Sequence, residues 1–413
     1  MRDVADPRRA IPGTALTMTW LWLATRAFLL LTVLDIVPLF RTVTWDVTGV
    51  YHGWHETMLR GGFPVDDVTW QYPPAAALII MAPSMLPFSY LGGFLVITVA
   101  FDALTMASLL RVPAGEEGRT RVGAWVWLAG VPLLGPVVYA RYDLLVTALA
   151  VSGLLQARAS AARGGLALGV AAGLKLWPAL ALIGMPRGQE TRRALAGAAA
   201  GGAVSTLLMM LALDGGLGFL TAQQDRGVEV ESVWALAFHV ARWFGWPGMV
   251  SYSYGSMEMI GPYAEAAGRV SLAATLLGLG WLVLWRVRAR TWTAATPYDA
   301  ALAAVLIFVV TSRVISPQYL VWLVGLAAVC LTVRASTQRP VAVLALAATA
   351  VTMLEFPTLF EDVQQSTPLG VTVLVVRNGL LVAATTVSCL RLWRATVPGA
   401  VSARPRDPGL ATA

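Results

Sequence analysis

The sequence predicts an all-α membrane protein that crosses a bilayer many times, and three observations carry the prediction. Of its 413 residues, 57% are hydrophobic and 13% charged, with a mean hydropathy of +0.67, more apolar and far less charged than a soluble domain. Apolar runs recur from end to end, and a helix needs about 20 such residues to keep its backbone satisfied across the hydrocarbon. The arginines behind the net charge of +7 sit in short clusters between those runs, which fits positive-inside topology and argues against a nucleic-acid partner. The expectation is about 11–13 transmembrane helices, with interfacial helices in two extracytoplasmic loops.

The N-terminus carries Arg2, Arg8 and Arg9. The first apolar run is too long for a signal-peptide core and lacks a clean cleavage site, so it is expected to be a retained span behind a cytoplasmic tail of residues 1–15. The candidate spans are then Leu16–Val37, Pro74–Leu86, Gly92–Leu110, Val122–Tyr139, Leu144–Gln156, Leu166–Met185, Ala194–Leu213, Val270–Val287, Ala300–Val310, Tyr319–Val333, Val341–Phe356 and Leu369–Leu392. Residues 393–413 are expected to form a cytoplasmic tail. Cys330 and Cys389 lie inside apolar runs without metal or CxxC spacing, so neither a disulfide nor a zinc site is expected.

Two polar excursions interrupt the spans, Phe40 to Pro73 and Asp214 to Arg269. In the first, Val47, Val50, Tyr51, Trp54 and Met58 share one helical face, and Gly61-Gly62 ends the pattern. In the second, Val233, Leu236, Ala237, Val240, Trp243 and Phe244 repeat that spacing before Gly245-Trp246-Pro247-Gly248. Both read as helices lying in the membrane interface. Arginine clusters at Arg158/Arg163 and at Arg187/Arg192/Arg193 flank the run Leu166–Met185 on both sides. Placing both clusters inside requires that run to enter and return, tipped by Lys175-Leu176-Trp177-Pro178; an ordinary span with one cluster outside is the alternative.

Candidate chemistry follows from polar residues beside apolar runs. Asp46 opens the first interfacial helix, where a carboxylate loses hydration and gains basicity. The same position suits an N-cap, and the two roles are compatible. Lys175 is the single lysine of the chain and lies inside an apolar run, where a charge is a functional-site hypothesis and an ammonium can hold a lipid phosphate; snorkelling to the interface is the plainer reading. Arg141-Tyr142-Asp143 sits in a tight connection, suited either to sugar or phosphate binding or to a structural ion pair. Arg313, Ser316, Pro317, Gln318 and Tyr319 break two apolar runs, as a ligand contact or as a simple turn. Ser232 can cap the second interfacial helix, so Arg226 and Glu231 just before it need other support as substrate contacts. His52 and His55 are spaced HxxH, but no third ligand stands at fixed spacing and no metal is expected. Asp66-Asp67 makes no metal-nucleotide motif, and no Gly-rich phosphate loop occurs, so no nucleotide cofactor is expected.

The run Asp46, Tyr51, Arg60-Gly61-Gly62, Pro64 and Trp70-Gln71-Tyr72-Pro73-Pro74, followed by Gly173-Leu174-Lys175-Leu176-Trp177-Pro178 and by Ser316-Pro317-Gln318-Tyr319-Leu320-Val321-Trp322, resembles glycosyltransferase family 87. The resemblance extends from Leu16 to about Leu392. It implies the GT-C membrane fold over residues 16–392, in a family that includes polyprenol-phosphate-mannose-dependent mannosyltransferases and arabinofuranosyltransferases. It also implies that Asp46 is the catalytic aspartate. Gln318 falls near a position where some members carry histidine. Where many members have Gly-Gln-x-Asn, this chain has Ala140-Arg141-Tyr142-Asp143.

The reading is therefore an inverting glycosyltransferase in the cell membrane, moving a sugar, with mannose favoured, from a polyprenyl-phosphate donor to a cell-envelope lipid or glycan. Asp46 would be the general base, and Lys175, Arg141, Asp143, Arg313, Gln318, His52, His55, Tyr72, Arg226 and Glu231 the substrate contacts. A transporter or lipid flippase is the alternative; it would carry inverted repeats, and none is visible.

Overall fold

The computed structural model describes residues 12–40, 43–113, 118–220 and 226–398. The expectations that fall on Arg2, Arg8 and Arg9 and on residues 399–413 lie outside them. Helices dominate. Six are long and apolar enough to cross a membrane: Thr14–Val33, Tyr90–Leu110, Gln189–Ala212, Ala264–Arg288, Arg339–Thr358 and Pro368–Thr396. Six shorter apolar helices accompany them: Pro74–Met85, Val122–Leu134, Asp143–Ala157, Ala161–Leu174, Thr296–Thr311 and Tyr319–Cys330. The chain is an all-α polytopic membrane protein.

The short helices Asp143–Ala157, Thr296–Thr311 and Tyr319–Cys330 are buried on nearly every side. That explains why their sequences are apolar all round instead of striped. The run Val122–Tyr139 is not one helix: it stops at Leu134, with Pro132 in its last turn and Gly135 at φ +73°, and continues as the short 3-10 turn Pro136–Tyr139. The last span starts where Thr367 accepts a hydrogen bond from the Gly370 amide at 3.2 Å and Pro368 occupies the first turn.

Helices Ala161–Leu174 and Gln189–Ala212 pack without room for side chains between them. A Cβ on Gly165 would collide with the Ala194 carbonyl, one on Gly169 with that of Ala198, and one on Gly173 would meet Ser205. The paired numbers rise together, so these two consecutive helices run parallel, and the chain must come back between them. It does so through Lys175, which is extended at φ −159°, and the 3-10 helix Trp177–Gly184. Arg158/Arg163 and Arg187/Arg192/Arg193 therefore share one end of the molecule, as the entering-and-returning reading requires. Arg286 donates to the Ile183 carbonyl at 3.1 Å, the Arg290 amide to Thr396 at 2.8 Å, and the Arg334 amide to Gly118 at 2.8 Å, which adds more basic residues to that end.

The two polar excursions meet at the other end. The Phe63 amide donates to Asp214 at 2.8 Å, and Gln71 Nε2 donates to the Tyr254 carbonyl at 2.6 Å. The first excursion contains the helical segment Asp46–Met58, begun as a π-helical turn over Asp46–Tyr51. Val47, Tyr51, Trp54 and Met58 are buried, as their spacing predicts. The second holds the helix Leu236–Trp243, which leaves Val240, Trp243 and Phe244 exposed and buries Phe238 and His239. It begins after Ser232, whose Oγ accepts from the Ala235 amide at 3.1 Å. The same excursion forms a small antiparallel sheet that the sequence reading missed: strands Val228–Glu229, Met249–Ser253 and Ser256–Ile260, with the last in the middle.

Candidate active site

Where the excursions meet the buried helices, they enclose a cavity of about 320 Å³. Asp46 and Tyr72 come to it from the first excursion, Lys175 and Trp177 from the returning turn, and Arg226, Tyr252 and Tyr254 from the second excursion. Arg313, Gln318 and Tyr319 come from the break between two core helices.

Asp46 does not cap its helix. Trp45 before it is already helical, and no side-chain cap bond forms. Its Oδ2 instead lies 2.9 Å from Nε of Arg141, as an ion pair without hydrogen-bond alignment. Arg141 is held in turn by donating from Nη1 to the carbonyls of Ala140 at 2.8 Å and Val43 at 3.2 Å.

Asp143 turns the opposite way. Its Oδ1 accepts from Lys175 Nζ at 2.7 Å and from Trp322 Nε1 at 2.8 Å. Arg141 and Asp143 thus do not form a pair with each other across the turn; each holds one charged residue of the cavity wall from behind. Lys175 does not snorkel. Its ammonium stands 5.0–5.5 Å from the ring centroids of Trp322, Tyr319, Tyr72 and Tyr142, an arrangement that favours a cation by its ring quadrupoles. Tyr319 stacks on Trp322 at 3.9 Å, and Trp177 stacks on Trp322 at 5.2 Å. Burial pushes the Tyr72 phenol well above its ordinary range, with the carboxylates of Asp143 and Asp46 adding to the shift, so it stays a neutral hydroxyl.

Arg226 braces the outer wall. It donates to Glu258 at 2.8 Å, to Gln71 Oε1 at 2.9 Å and to Ser256 Oγ at 2.5 Å. Glu229 accepts from the Ile315 amide at 2.7 Å and from Ser316 Oγ at 3.1 Å, and so fixes the segment that presents Arg313 and Gln318. Arg313 donates to the Arg226 carbonyl at 2.5 Å.

Three expected contacts stand away from the cavity wall. His52 and His55 pack on Tyr90, with ring centroids 4.9 and 5.4 Å away. Their HxxH spacing turns them toward the neighbouring span because the cavity takes the other side of the helix. Glu231 is buried beside Arg377, 3.8 Å off, in a cluster with Glu355 behind the sheet. In the other direction, Gln71, Trp177 and Trp322, quoted above within motifs but not as contacts, line the cavity, as do Tyr252 and Tyr254, which were not named. Two signals were available: the aromatic residues two and four positions from the predicted contacts Lys175 and Gln318, and the alternation of Val250, Tyr252 and Tyr254 before Gly255, which is strand patterning ending in a turn.

Six predicted residues therefore share one cavity, Asp46, Tyr72, Lys175, Arg226, Arg313 and Gln318, with Arg141 and Asp143 directly behind them. Among the described residues, no group of three or more His, Cys, Asp or Glu side chains is placed to hold a metal ion. What the arrangement offers chemically is a half-buried carboxylate and several cations across one small space, with aromatic walls. No curated protein and no solved structure matches the chain. The family model of glycosyltransferase family 87 matches residues 70–317, more than half of the sequence. That match takes in the Tyr72-Pro73-Pro74, Lys175 and Arg313 segments, all of which build the cavity, and the chain belongs to glycosyltransferase family 87, as a membrane glycosyltransferase.

Proposed function

We propose that this membrane glycosyltransferase moves a sugar, mannose, from a polyprenyl-phosphate donor to a cell-envelope lipid or glycan acceptor, with inversion at the anomeric carbon and Asp46 as general base. In that step the acceptor oxygen attacks the anomeric carbon, its proton passes to the Asp46 carboxylate, and the bond to the lipid phosphate breaks with its electron pair leaving on phosphate. Lys175, Arg226 and Arg313 then offset the charge that develops on the phosphate. Arg141 orients Asp46, and Asp143 orients Lys175. The preference for mannose rests on the resemblance to polyprenol-phosphate-mannose-dependent enzymes.

The observation that carries the reading is that Asp46 and Lys175 line one cavity whose wall also holds exposed apolar side chains. Leu176 and Leu272 both line it and are 65% and 58% exposed. Leu272 belongs to the long apolar span Ala264–Arg288, and the two leucines give the cavity mouth an apolar surface suited to a hydrocarbon chain. A donor with a hydrocarbon tail fits such an opening, because its tail stays among the helices while its head reaches the polar residues. Support for an extracytoplasmic site comes from the arginine-rich end lying opposite the cavity, the arrangement expected when basic residues stay in the cytoplasm.

The test is transfer from synthetic polyprenyl-phosphate mannose and polyprenyl-phosphate arabinose to a membrane lipid extract, comparing purified wild type with Asp46→Asn. Mannose transfer by wild type and a loss of about 10²–10⁴-fold in the variant are expected. Equal transfer by both proteins would remove Asp46 as the base. No transfer by wild type from either donor would overturn the lipid-linked reading.

A further inference from the structure

We infer that the hairpin Met249–Ile260 forms an acceptor subsite for a sugar ring, with Tyr252 as its stacking platform, so that the acceptor is itself a glycoside. This deepens the reading above and rests on Asp46 being the base.

The argument begins with the hairpin's rigidity. Its turn puts Tyr254 at φ +52° and Gly255 at φ +77°, which closes the two strands tightly. Three side-chain bonds then tie it to the cavity wall: Gln71 to the Tyr254 carbonyl at 2.6 Å, Arg226 to Ser256 at 2.5 Å and Arg226 to Glu258 at 2.8 Å. A hairpin that only bridged two spans would not need anchoring at its tip.

On this fixed support Tyr252 lines the cavity and yet is 55% exposed. An exposed aromatic ring carried on an anchored hairpin and set in a cavity wall presents contact area at little conformational cost. Burial pushes its phenol above the ordinary range, with Asp46 and Asp67 pushing the same way and Arg141 opposing, so the ring stands in the field of the proposed base. The deep part of the cavity differs in kind: there Lys175 is enclosed by four rings. A charged head belongs in the deep part. The outer part has an open ring and the hydroxyl of Thr69. A pyranose has an apolar C–H face for such a ring and hydroxyls at its edge for such a neighbour, and Tyr is an amphipathic partner for both. A simple lipid alcohol would use neither.

The probe is octyl α-mannopyranoside, and the full-length protein is kept in a detergent that carries no sugar. Saturation-transfer NMR reads its binding without turnover, in wild type, Tyr252→Ala, Tyr252→Phe and Asp46→Asn. We expect glycoside affinity to fall about tenfold in Tyr252→Ala, the scale of a lost ring contact, and to hold in Tyr252→Phe and Asp46→Asn. In transfer assays the acceptor KM of Tyr252→Ala should rise by a similar factor, with the donor KM unchanged. Equal glycoside affinity in wild type and Tyr252→Ala overturns the proposal. So does weaker binding to lipid vesicles with unchanged glycoside affinity, which would make the ring a membrane anchor. Failure of the lipid-linked transferase reading is seen separately, as a wild type that transfers nothing, while the binding experiment still reports on Tyr252.

Discussion

Two buried acid–base pairs in this protein are built from the same chemistry and finished differently. Arg26 and Asp102 lie among the spans at 2% and 0% exposure, 2.8 Å apart. Asp102 also accepts from Trp127 at 2.7 Å, Trp22 at 3.2 Å and Tyr139 at 2.6 Å, while Arg26 donates to the Leu128 carbonyl at 3.0 Å. Lys175 and Asp143 are as close, at 2.7 Å, but the second carboxylate oxygen of Asp143 has no protein partner, and neither has Nε1 of Trp177 in the adjoining wall. Removing charge from water is costly in both places. Complete satisfaction ties the first span to the helices Tyr90–Leu110 and Val122–Leu134 and leaves nothing for a ligand. Incomplete satisfaction beside a cavity leaves bonding capacity for one.

The same substitution in each pair tests this difference. Asp102→Asn should destabilise the protein by about 3–5 kcal/mol, because it leaves the Arg26 charge buried and turns an amide toward donors. Thermal unfolding in detergent measures it, and turnover per folded molecule should not change. Asp143→Asn keeps an acceptor for Lys175 and Trp322, and its new N–H₂ can face the side that lacks a partner. There the loss should be about 1 kcal/mol of stability against about 10²-fold in turnover, because Lys175 loses its ion pair and keeps only a neutral hydrogen bond to hold it against the substrate. Equal destabilisation by the two variants would break the comparison.

The fold was legible where physics acts locally. Apolar runs gave the spans, and the two arginine clusters around Leu166–Met185 left two readings, a returning segment or an ordinary span, between which the parallel packing of Ala161–Leu174 and Gln189–Ala212 decides. The face of the helix at Asp46 followed from the spacing of Val47, Tyr51, Trp54 and Met58. Partnerships were not legible. Arg141 and Asp143 are two residues apart and invited pairing with each other, whereas Arg141 meets Asp46 and Asp143 meets Lys175, one on each side of the turn. Nothing local records that choice. Glu231 had a motif's position but finds Arg377, 146 residues away, whose Nη2 donates to its carbonyl at 2.7 Å. The hairpin left a faint signal because its strands are five residues long and lie in a polar excursion.

Glu229 sharpens the comparison through pH. It is a third buried carboxylate, with both oxygens engaged by Ile315 and Ser316, but it shares Arg226 with Glu258. Burial pushes it up to about 7, with Arg226 pulling down and Glu258 pushing up. A carboxyl raised in the folded state stabilises the protein below its unfolded value of 4.5 and loses that contribution as pH rises through about 7. Glu229→Gln cannot ionise. Its unfolding free energy relative to wild type should therefore improve between about pH 5 and pH 8, by about 1–2 kcal/mol, because the titration is shared with neighbours. A constant difference between the two proteins would show that Glu229 carries no raised affinity for its proton.

The smallest effect goes furthest into the cavity. Trp177 is buried, lines the cavity, and stacks on Trp322, yet its Nε1–H has no protein acceptor. In a finished core such a donor would cost stability, as the Trp127 and Trp22 donors would without Asp102. If this N–H is kept for a donor phosphate, Trp177→Phe preserves the stack and removes one hydrogen bond that exists only with substrate bound. The donor KM should then rise about tenfold, the low end of what one hydrogen bond to a charged group is worth. The melting temperature should hold or rise, because an unsatisfied buried donor has been removed. An unchanged KM with a higher melting temperature would mean that the open valence at Trp177 is a packing defect, and that Asp143 alone distinguishes the cavity pair from the closed one.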